Sequence, residues 1–218
     1  GADVSLCERE HLFVGGEFNL TEGFTLTNKG AVYNPLTDQW SLLTPPAGWT
    51  FIGEPPSTVL PDGRFVIGSK LDSRLAALDP ATLTWKQLGF DGKADFNTEE
   101  GWNLLPDGTI FTVDVRNASH AERYLPEKEE WLPAGRTPVS LASPGTEGCL
   151  RYGNDKELCY YPPGEVGTAV LLPDGTVFTT GSRALMGRGT AAIYTPPTVR
   201  TGAGTWVAGP DFPVDDNG

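Results

Sequence analysis

Carboxylate side chains recur shortly before runs of apolar residues, at Asp3, Glu54, Glu99 or Glu100, and Glu165. If each apolar run is the innermost strand of a repeated unit, these carboxylates converge on one end of a shared channel. They would repel one another there unless a cation lay among them. Calcium is the ion that this pattern favours, because calcium binds flexible sets of oxygen ligands. Carboxylates that point into water or cap strand ends are the alternative.

Two tryptophans, Trp49 and Trp102, lie close to these acidic positions. An exposed aromatic ring beside carboxylates is typical of a sugar-binding face, because the C–H face of a sugar stacks on the ring. We therefore predict a ligand site formed by Trp49, Trp102, Glu54, Glu100 and Glu165. Packing of both indoles in the core is the alternative.

The segment 91–102, DGKADFNTEEGW, alternates oxygen-bearing side chains at Asp91, Asp95, Asn97 and Glu99. It loosely resembles a calcium loop but lacks the glycine position and the terminal carboxylate spacing of an EF-hand. We therefore expect it to form an acidic surface turn.

Nucleophilic catalysis has little support in the sequence, which contains neither GxSxG nor HExxH and no pattern that pairs a cysteine with a histidine. Glu99 and Glu165 could act as acid and base on a glycoside if they faced each other across the channel. A carbohydrate-active lyase or hydrolase is therefore one alternative, although the sequence favours a non-catalytic protein.

The elements that would position these residues are repeated hairpins. The segments 58–69, 103–114 and 170–181 each contain an apolar run, a Pro-Asp-Gly turn and a second apolar run, and 4–16 is a degenerate copy. Asp-Gly between apolar runs indicates a β-hairpin, because glycine adopts positive φ at little cost and aspartate tolerates the neighbouring turn position.

Each hairpin is followed by a strand, a turn at proline and a short strand that ends at tryptophan. The four tryptophans are Trp40, Trp85, Trp131 and Trp206. Two hairpins make a four-stranded sheet of about 45 residues, the size of a propeller blade. We predict an all-β propeller in a single domain, 1–218, with one tryptophan filling each wedge between blades. The predicted blades cover about 1–45, 52–90, 98–133 and 165–209.

Gly15-Gly16, Tyr33 and Trp40 resemble a Kelch repeat, and the LPDG hairpins are similar to those of secreted galactose-oxidase-like propellers. Such relatives usually have six or seven blades, so the resemblance implies either closure by four blades or a part of a larger ring. It also implies a copper–radical oxidase, which needs two imidazoles, two tyrosines and a cysteine cross-linked to one of them. His11 and His120 are the only histidines, and they are not placed for that centre, so copper chemistry is the less favoured enzyme alternative.

The segment 133–165 is too long for an ordinary link between blades, and we predict an inserted loop held by a Cys149–Cys159 disulfide. Long ordered loops often carry specificity. The sequons Asn19-Leu20-Thr21 and Asn117-Ala118-Ser119 fit a secreted protein, in which disulfides persist.

The formal charge of −12, without a cluster of basic residues, argues against a nucleic-acid partner. No apolar stretch reaches the roughly 18 residues that a membrane helix requires. The sequence therefore predicts a non-catalytic extracellular propeller that recognises a glycan or protein through its channel face and the 133–165 loop. Self-association through open blade edges, as a homo-oligomer, is a further alternative.

Overall fold

The structure is a computed structural model. It describes the backbone of residues 3–7, 11–15, 18–19, 25–97, 99–116, 119–141, 148–152, 156–160, 166–181 and 189–212. Side chains are described for residues 26–97, 99–116, 119–141, 166–181 and 189–212. Within these ranges the regular structure is entirely β-strand. The described residues contain no helix with the length and hydropathy of a membrane span.

Four four-stranded antiparallel sheets, the blade sheets, match the four predicted blades. The first contains β1 (Asp3–Cys7), β2 (His11–Gly15), β5 (Gly30–Asn34) and β6 (Gln39–Leu43). The second contains β7 (Ser57–Val59), β8 (Phe65–Gly68), β9 (Leu75–Asp79) and β10 (Thr84–Leu88). The third contains β11 (Asn103–Leu104), β12 (Ile110–Val113), β13 (His120–Leu125) and β14 (Glu130–Arg136), and the fourth contains β17 (Ala169–Leu171), β18 (Val177–Thr180), β19 (Ala191–Thr195) and β20 (Thr205–Ala208). The predicted all-β fold of four-stranded blades is confirmed.

The chain forms two compact units. The first unit comprises 1–90, 96–98 and 148–160, and the second comprises 91–95, 99–147 and 161–218. The first and second blade sheets belong to the first unit, and the third and fourth belong to the second unit. Each unit has its own apolar core, around Phe65 and Trp49 in the first and around Phe111 and Tyr194 in the second.

The three LPDG hairpins share one turn geometry. The glycine N–H donates to the leucine carbonyl at 2.9 Å in each copy, and Gly63, Gly108 and Gly175 adopt φ between 80° and 87°. A side-chain oxygen of the preceding aspartate accepts the N–H of the residue after the glycine, at 3.0–3.1 Å. This is a turn closed by a left-handed residue, which explains why glycine recurs at that position.

The outer hairpins pair an aromatic or leucine residue with tryptophan across the strands. Tyr33 lies opposite Trp40, Tyr124 opposite Trp131 and Tyr194 opposite Trp206, with ring centroids 5.0–5.2 Å apart. In the second blade sheet, Leu78 lies opposite Trp85. Such cross-strand pairs stabilise a sheet and fix its register. The repeated Tyr/Leu and Trp positions in the sequence are therefore the residues that lie opposite each other in each outer hairpin.

The tryptophans do not all fill wedges between sheets, which corrects part of the prediction. Trp206 of the fourth blade sheet does so, because its ring lies 5.8 Å from that of Phe111 and its Nε1 donates to the Ala134 carbonyl at 2.8 Å, both in the third sheet. Trp131 is only 2% exposed. Trp40 is 57% exposed, so it is not buried in a wedge of the described structure.

A fifth four-stranded sheet was not predicted. It contains β16 (Lys156–Tyr160), β15 (Gly148–Tyr152), β4 (Thr25–Leu26) and β3 (Phe18–Asn19), in that order. β15 pairs with β4 in parallel, with Tyr152 opposite Leu26. The segment 133–165 is thus not one irregular loop, because β14 continues to Arg136 and 148–160 contains a hairpin.

The β15–β16 register places Cys149 directly opposite Cys159. Residues opposed in antiparallel strands have Cα atoms about 4.5–5.5 Å apart, a separation that a disulfide can span. The side chains of all three cysteines lie outside the described residues, so the disulfide remains a prediction. The predicted sequons at Asn19 and Asn117 likewise involve side chains outside them.

Gly175→Ala is expected to lower the free energy of unfolding by about 1 kcal/mol, because alanine is strained at a φ of 85°. An added Cβ would meet only Pro106 Cγ at 3.7 Å, so the loss comes from backbone strain and not from a clash. Urea denaturation followed by tryptophan fluorescence measures the difference. Gly101→Ala is the matched control, because Gly101 has no positive φ and open space around its Cα. Equal losses in the two variants would contradict the assigned turn.

Candidate functional site

The candidate site is built around Lys93, which lies on a short segment that is bonded to β14 of the third blade sheet. Asp91 forms an isolated β-bridge with Glu130, and the Trp131 N–H donates to the Asp91 carbonyl at 2.7 Å. Gly92 adopts a φ of 84°, and a Cβ there would collide with the Trp131 carbonyl. This close approach places the Lys93 ammonium 5.1 Å from the centroid of the Trp131 ring, a cation–π distance.

Four carboxylates surround the Lys93 ammonium. Its Nζ lies 2.7 Å from Glu100 Oε1 and 2.7 Å from Glu122 Oε2, and it lies 3.7 Å from Asp95 and 3.8 Å from Asp114. The side chains of Lys93, Glu100 and Asp114 are fully buried, that of Glu122 is 1% exposed and that of Asp95 7%. We call these five residues, together with His120, the Lys93 cluster.

Two neighbouring strands supply the rest of the cluster. Asp114 directly follows β12, and its N–H donates to the His120 carbonyl at 3.0 Å, which closes the turn into β13. His120 and Glu122 are two residues apart on β13, where side chains alternate between faces. The pairing of β13 with β14 is irregular between these two residues. Bulges of this kind redirect side chains and are frequent next to functional sites.

The carboxylate oxygens of the cluster are not equally satisfied. Asp114 Oδ2 lies 2.5 Å from His120 Nδ1, and Glu122 Oε1 accepts the Ala94 N–H at 2.7 Å. Asp114 Oδ1 is buried and has no hydrogen-bond partner among the described residues. A buried carboxylate oxygen without a donor is costly, and such exceptions are uncommon in folded proteins.

Burial and mutual repulsion shift the titration of these groups. Burial raises the pKa of Glu100 to about 8 and that of Asp114 to about 9, although the Lys93 charge opposes both shifts. Burial also raises the pKa of Asp95 and lowers that of His120. Burial alone would lower the pKa of Lys93, but the surrounding carboxylates outweigh it and raise that pKa, so the ammonium keeps its charge.

Two of the predicted ligand residues meet at this cluster. Trp102 donates from Nε1 to Glu100 Oε2 at 3.3 Å, and its ring centroid lies 5.9 Å from that of Trp131. Trp102 is partly exposed, whereas Glu100 is buried. An aromatic ring is therefore held at the edge of a buried charge cluster.

The other predicted site residues are placed differently. Trp49 is 2% exposed and packs in the core of the first unit, so the expectation of an exposed ring at Trp49 is wrong. Glu54 forms an ion pair of 2.5 Å with the buried Lys70. Glu99 is exposed and has a φ of 53°. The side chains of Asp3 and Glu165 lie outside the described residues, so the predicted calcium site is untested.

The expectation of an acidic surface turn over 91–102 is also wrong for most of its polar residues. Asp95 and Glu100 belong to the buried cluster, and Asn97 is fully buried in the first unit. The Asn97 amide donates to the carbonyls of Asp72 at 2.8 Å and Arg74 at 3.1 Å. A feature that could have indicated this role is the single Lys93 within an otherwise acidic segment.

Asp114, His120 and Glu122 could hold a metal ion, because one donor atom from each lies within 4.8 Å of the others. The copper–radical centre implied by the resemblance does not fit here. His120 is surrounded in the cluster by carboxylates and a lysine. The described residues of the cluster supply neither a second imidazole nor a tyrosine.

Comparison with known proteins supports the fold alone. No protein-family model matches the chain, and no curated protein matches it. The chain resembles hydrazine synthase from Kuenenia stuttgartiensis, with a TM-score of 0.51, 13% identity, and coverage of 85% of this chain and 42% of that one. It also resembles a fungal alcohol oxidase of the AA5 family solved with copper, with a TM-score of 0.50, 16% identity, and coverage of 97% and 54%. The chain thus spans about half the length of these structures, and the likeness shows that it shares their all-β fold.

The raised carboxyl pKa values predict that stability falls as pH rises. The folded protein retains protons on Glu100 and Asp114 that the unfolded chain releases above the ordinary carboxyl pKa, about 4.5 for glutamate. For each retained proton, the free energy of unfolding falls by up to about 1.4 kcal/mol for every unit by which the pH rises. The decline should run from about pH 5 to about pH 8. Urea denaturation between pH 5 and 9, in buffer containing a chelator, measures it.

Glu100→Gln should make this decline shallower, because a glutamine at that position does not titrate. Glu130→Gln, on the surface end of β14, is the control and should leave the slope unchanged. A free energy of unfolding that rises between pH 5 and 8 would contradict the buried environment assigned to Glu100.

Proposed function

We propose that this chain is a non-catalytic, extracellular binding propeller of the Kelch, galactose-oxidase-like type that recognises a glycan or protein ligand. The observation that carries the proposal is the partly exposed Trp102 ring, which the buried Glu100 holds through a hydrogen bond of 3.3 Å. The secreted location is supported by the two sequons and by the opposed positions of Cys149 and Cys159 in the β15–β16 hairpin.

The placement of Trp102 suits a recognition residue. Its indole contacts Trp131 on one side and its Nε1 is bonded to Glu100, so little conformational freedom remains for a ligand to restrict. A ring fixed before binding gives contact area at low entropic cost. A sugar C–H face or an aliphatic side chain could stack on the exposed part of the ring, with polar groups directed to the acidic surroundings.

Trp102→Ala is expected to weaken glycan binding at least tenfold, because it removes the stacking surface. The measurement is a glycan microarray with the purified chain, followed by calorimetry with the best-bound glycan. Trp40→Ala is the matched control, because Trp40 is an exposed tryptophan in a different blade sheet. Circular dichroism establishes that both variants are folded.

Two results would count against the proposal. One is binding by the wild-type chain that survives Trp102→Ala and is lost in Trp40→Ala. The other is a folded wild-type chain that binds nothing on glycan arrays and captures no ligand from an extracellular protein library.

A second candidate function is association with another blade-like sheet, because the edge strand β6 exposes large apolar side chains. Trp40 is 57% exposed and Leu42 is 90% exposed, and their spacing puts both on one face of β6. The corresponding tryptophan of the fourth blade sheet, Trp206, packs instead on the neighbouring sheet through Phe111 and Ala134. A second copy of the chain, presenting a similar sheet, would cover Trp40 in the same way.

Leu42→Glu is expected to abolish self-association if β6 is the contact surface, because it places a charge in an apolar interface. Sedimentation velocity over a range of protein concentrations measures the change. Leu36→Glu is the control, since Leu36 is 71% exposed but lies in the turn before β6. A wild-type chain that stays monomeric at high concentration would exclude this candidate and leave the glycan proposal untouched.

A further inference from the structure

The Lys93 cluster contains more buried carboxyl groups than its own cation could balance if all of them were ionised. Four carboxylates, each at most 7% exposed, face one ammonium. Like charges at such distances in a medium of low dielectric repel strongly unless further positive charge is present. Protonation of some carboxyls is one source of that charge, and a bound cation is the other.

Lys93 does not reach all parts of the cluster equally. Its Nζ makes short contacts of 2.7 Å to Glu100 and Glu122 but lies 3.8 Å from Asp114 Oδ1. That oxygen is buried on a fully buried side chain, is directed toward the cluster and has no hydrogen-bond partner in the described part of the chain. The missing hydrogen bond therefore belongs to one atom, Asp114 Oδ1, and this observation does not depend on how many carboxyl groups are charged.

The donors around this oxygen form a set that metals use. His120 Nδ1 lies 2.5 Å from Asp114 Oδ2, and one donor atom each of Asp114, His120 and Glu122 lies within 4.8 Å of the others. Bonds of about 2.0–2.2 Å in a tetrahedral site hold ligand atoms about 3.3–3.6 Å apart, so small side-chain rotations would place these donors around one ion.

We propose that Asp114, His120 and Glu122 bind a divalent transition-metal ion of the zinc type. The imidazole decides the class, because nitrogen ligands suit zinc and its neighbours, whereas calcium takes oxygen ligands. The ion contacts the Asp114 oxygen that no hydrogen-bond donor reaches. Its two positive charges offset two of the negative charges that the carboxyl groups carry when they are ionised. Lys93 remains in place and balances Glu100.

The burial pattern gives the ion a route to the site. The His120 side chain is 18% exposed, whereas those of Asp114 and Glu122 are at most 1% exposed. An ion would therefore enter on the His120 side, and a water molecule could complete the coordination there. Three protein ligands with one open position are also the arrangement of catalytic zinc sites, although the proposal concerns binding only.

The proposal is tested on the purified chain without a histidine tag, stripped with a chelator and dialysed. Zinc binding is measured by calorimetry, and cobalt(II) serves as a spectroscopic probe through its visible absorption. We expect one equivalent of zinc per chain and a raised melting temperature. His120→Gln should lower the zinc affinity at least about tenfold, the loss that even removal of an outer-shell partner produces.

Two variants keep the test decisive. His11→Gln removes the only other histidine and should bind zinc like the wild type. Asp114→Asn should also lose affinity, and its melting temperature without metal reports whether it is folded. The proposal is overturned if stripped wild-type protein takes up no zinc or cobalt, if His11→Gln loses the metal while His120→Gln retains it, or if only calcium binds.

Discussion

The second compact unit depends on one buried ammonium. Lys93 satisfies Glu100 and Glu122 at 2.7 Å and lies against the Trp131 ring, so it joins the 91–95 segment, β13 and β14. A buried charge cluster of this kind stabilises only when its members are paired, and removal of one partner leaves the others exposed to repulsion. Trp102 is bonded to Glu100 and His120 to Asp114, so both rings are held by the carboxylates that share this single cation.

The blade architecture was predictable because its determinants are local. The LPDG turns need glycine at a positive φ, and the Tyr–Trp pairs are fixed by the strand register, so both produce a repeated sequence pattern. The fifth sheet has no such pattern. It joins β4 to β15 by a parallel pairing between segments far apart in the chain, and hydrophobic periodicity carries no information about that partnership.

The candidate site was predictable only in part for a related reason. Glu100 and Trp102 were identified from residue type and from their position before a strand, and they do lie together. Trp49 was misjudged because an exposed and a buried indole look alike in sequence. Asp114, His120 and Glu122 were missed because the turn after β12 brings them together, and nothing in their spacing distinguishes them from ordinary strand residues.

The parallel pairing of β15 with β4 has a consequence for biosynthesis. The second unit begins within the part of the chain that separates these two strands, so the first unit is interrupted by residues that belong elsewhere. On the ribosome, β3 and β4 emerge long before β15 and β16 exist, and the free edge of β4 must wait for residues 148–160. Closing so long a loop is slow, and strands left unpaired meanwhile are open to wrong partners. Order of synthesis and order of assembly therefore differ in this protein.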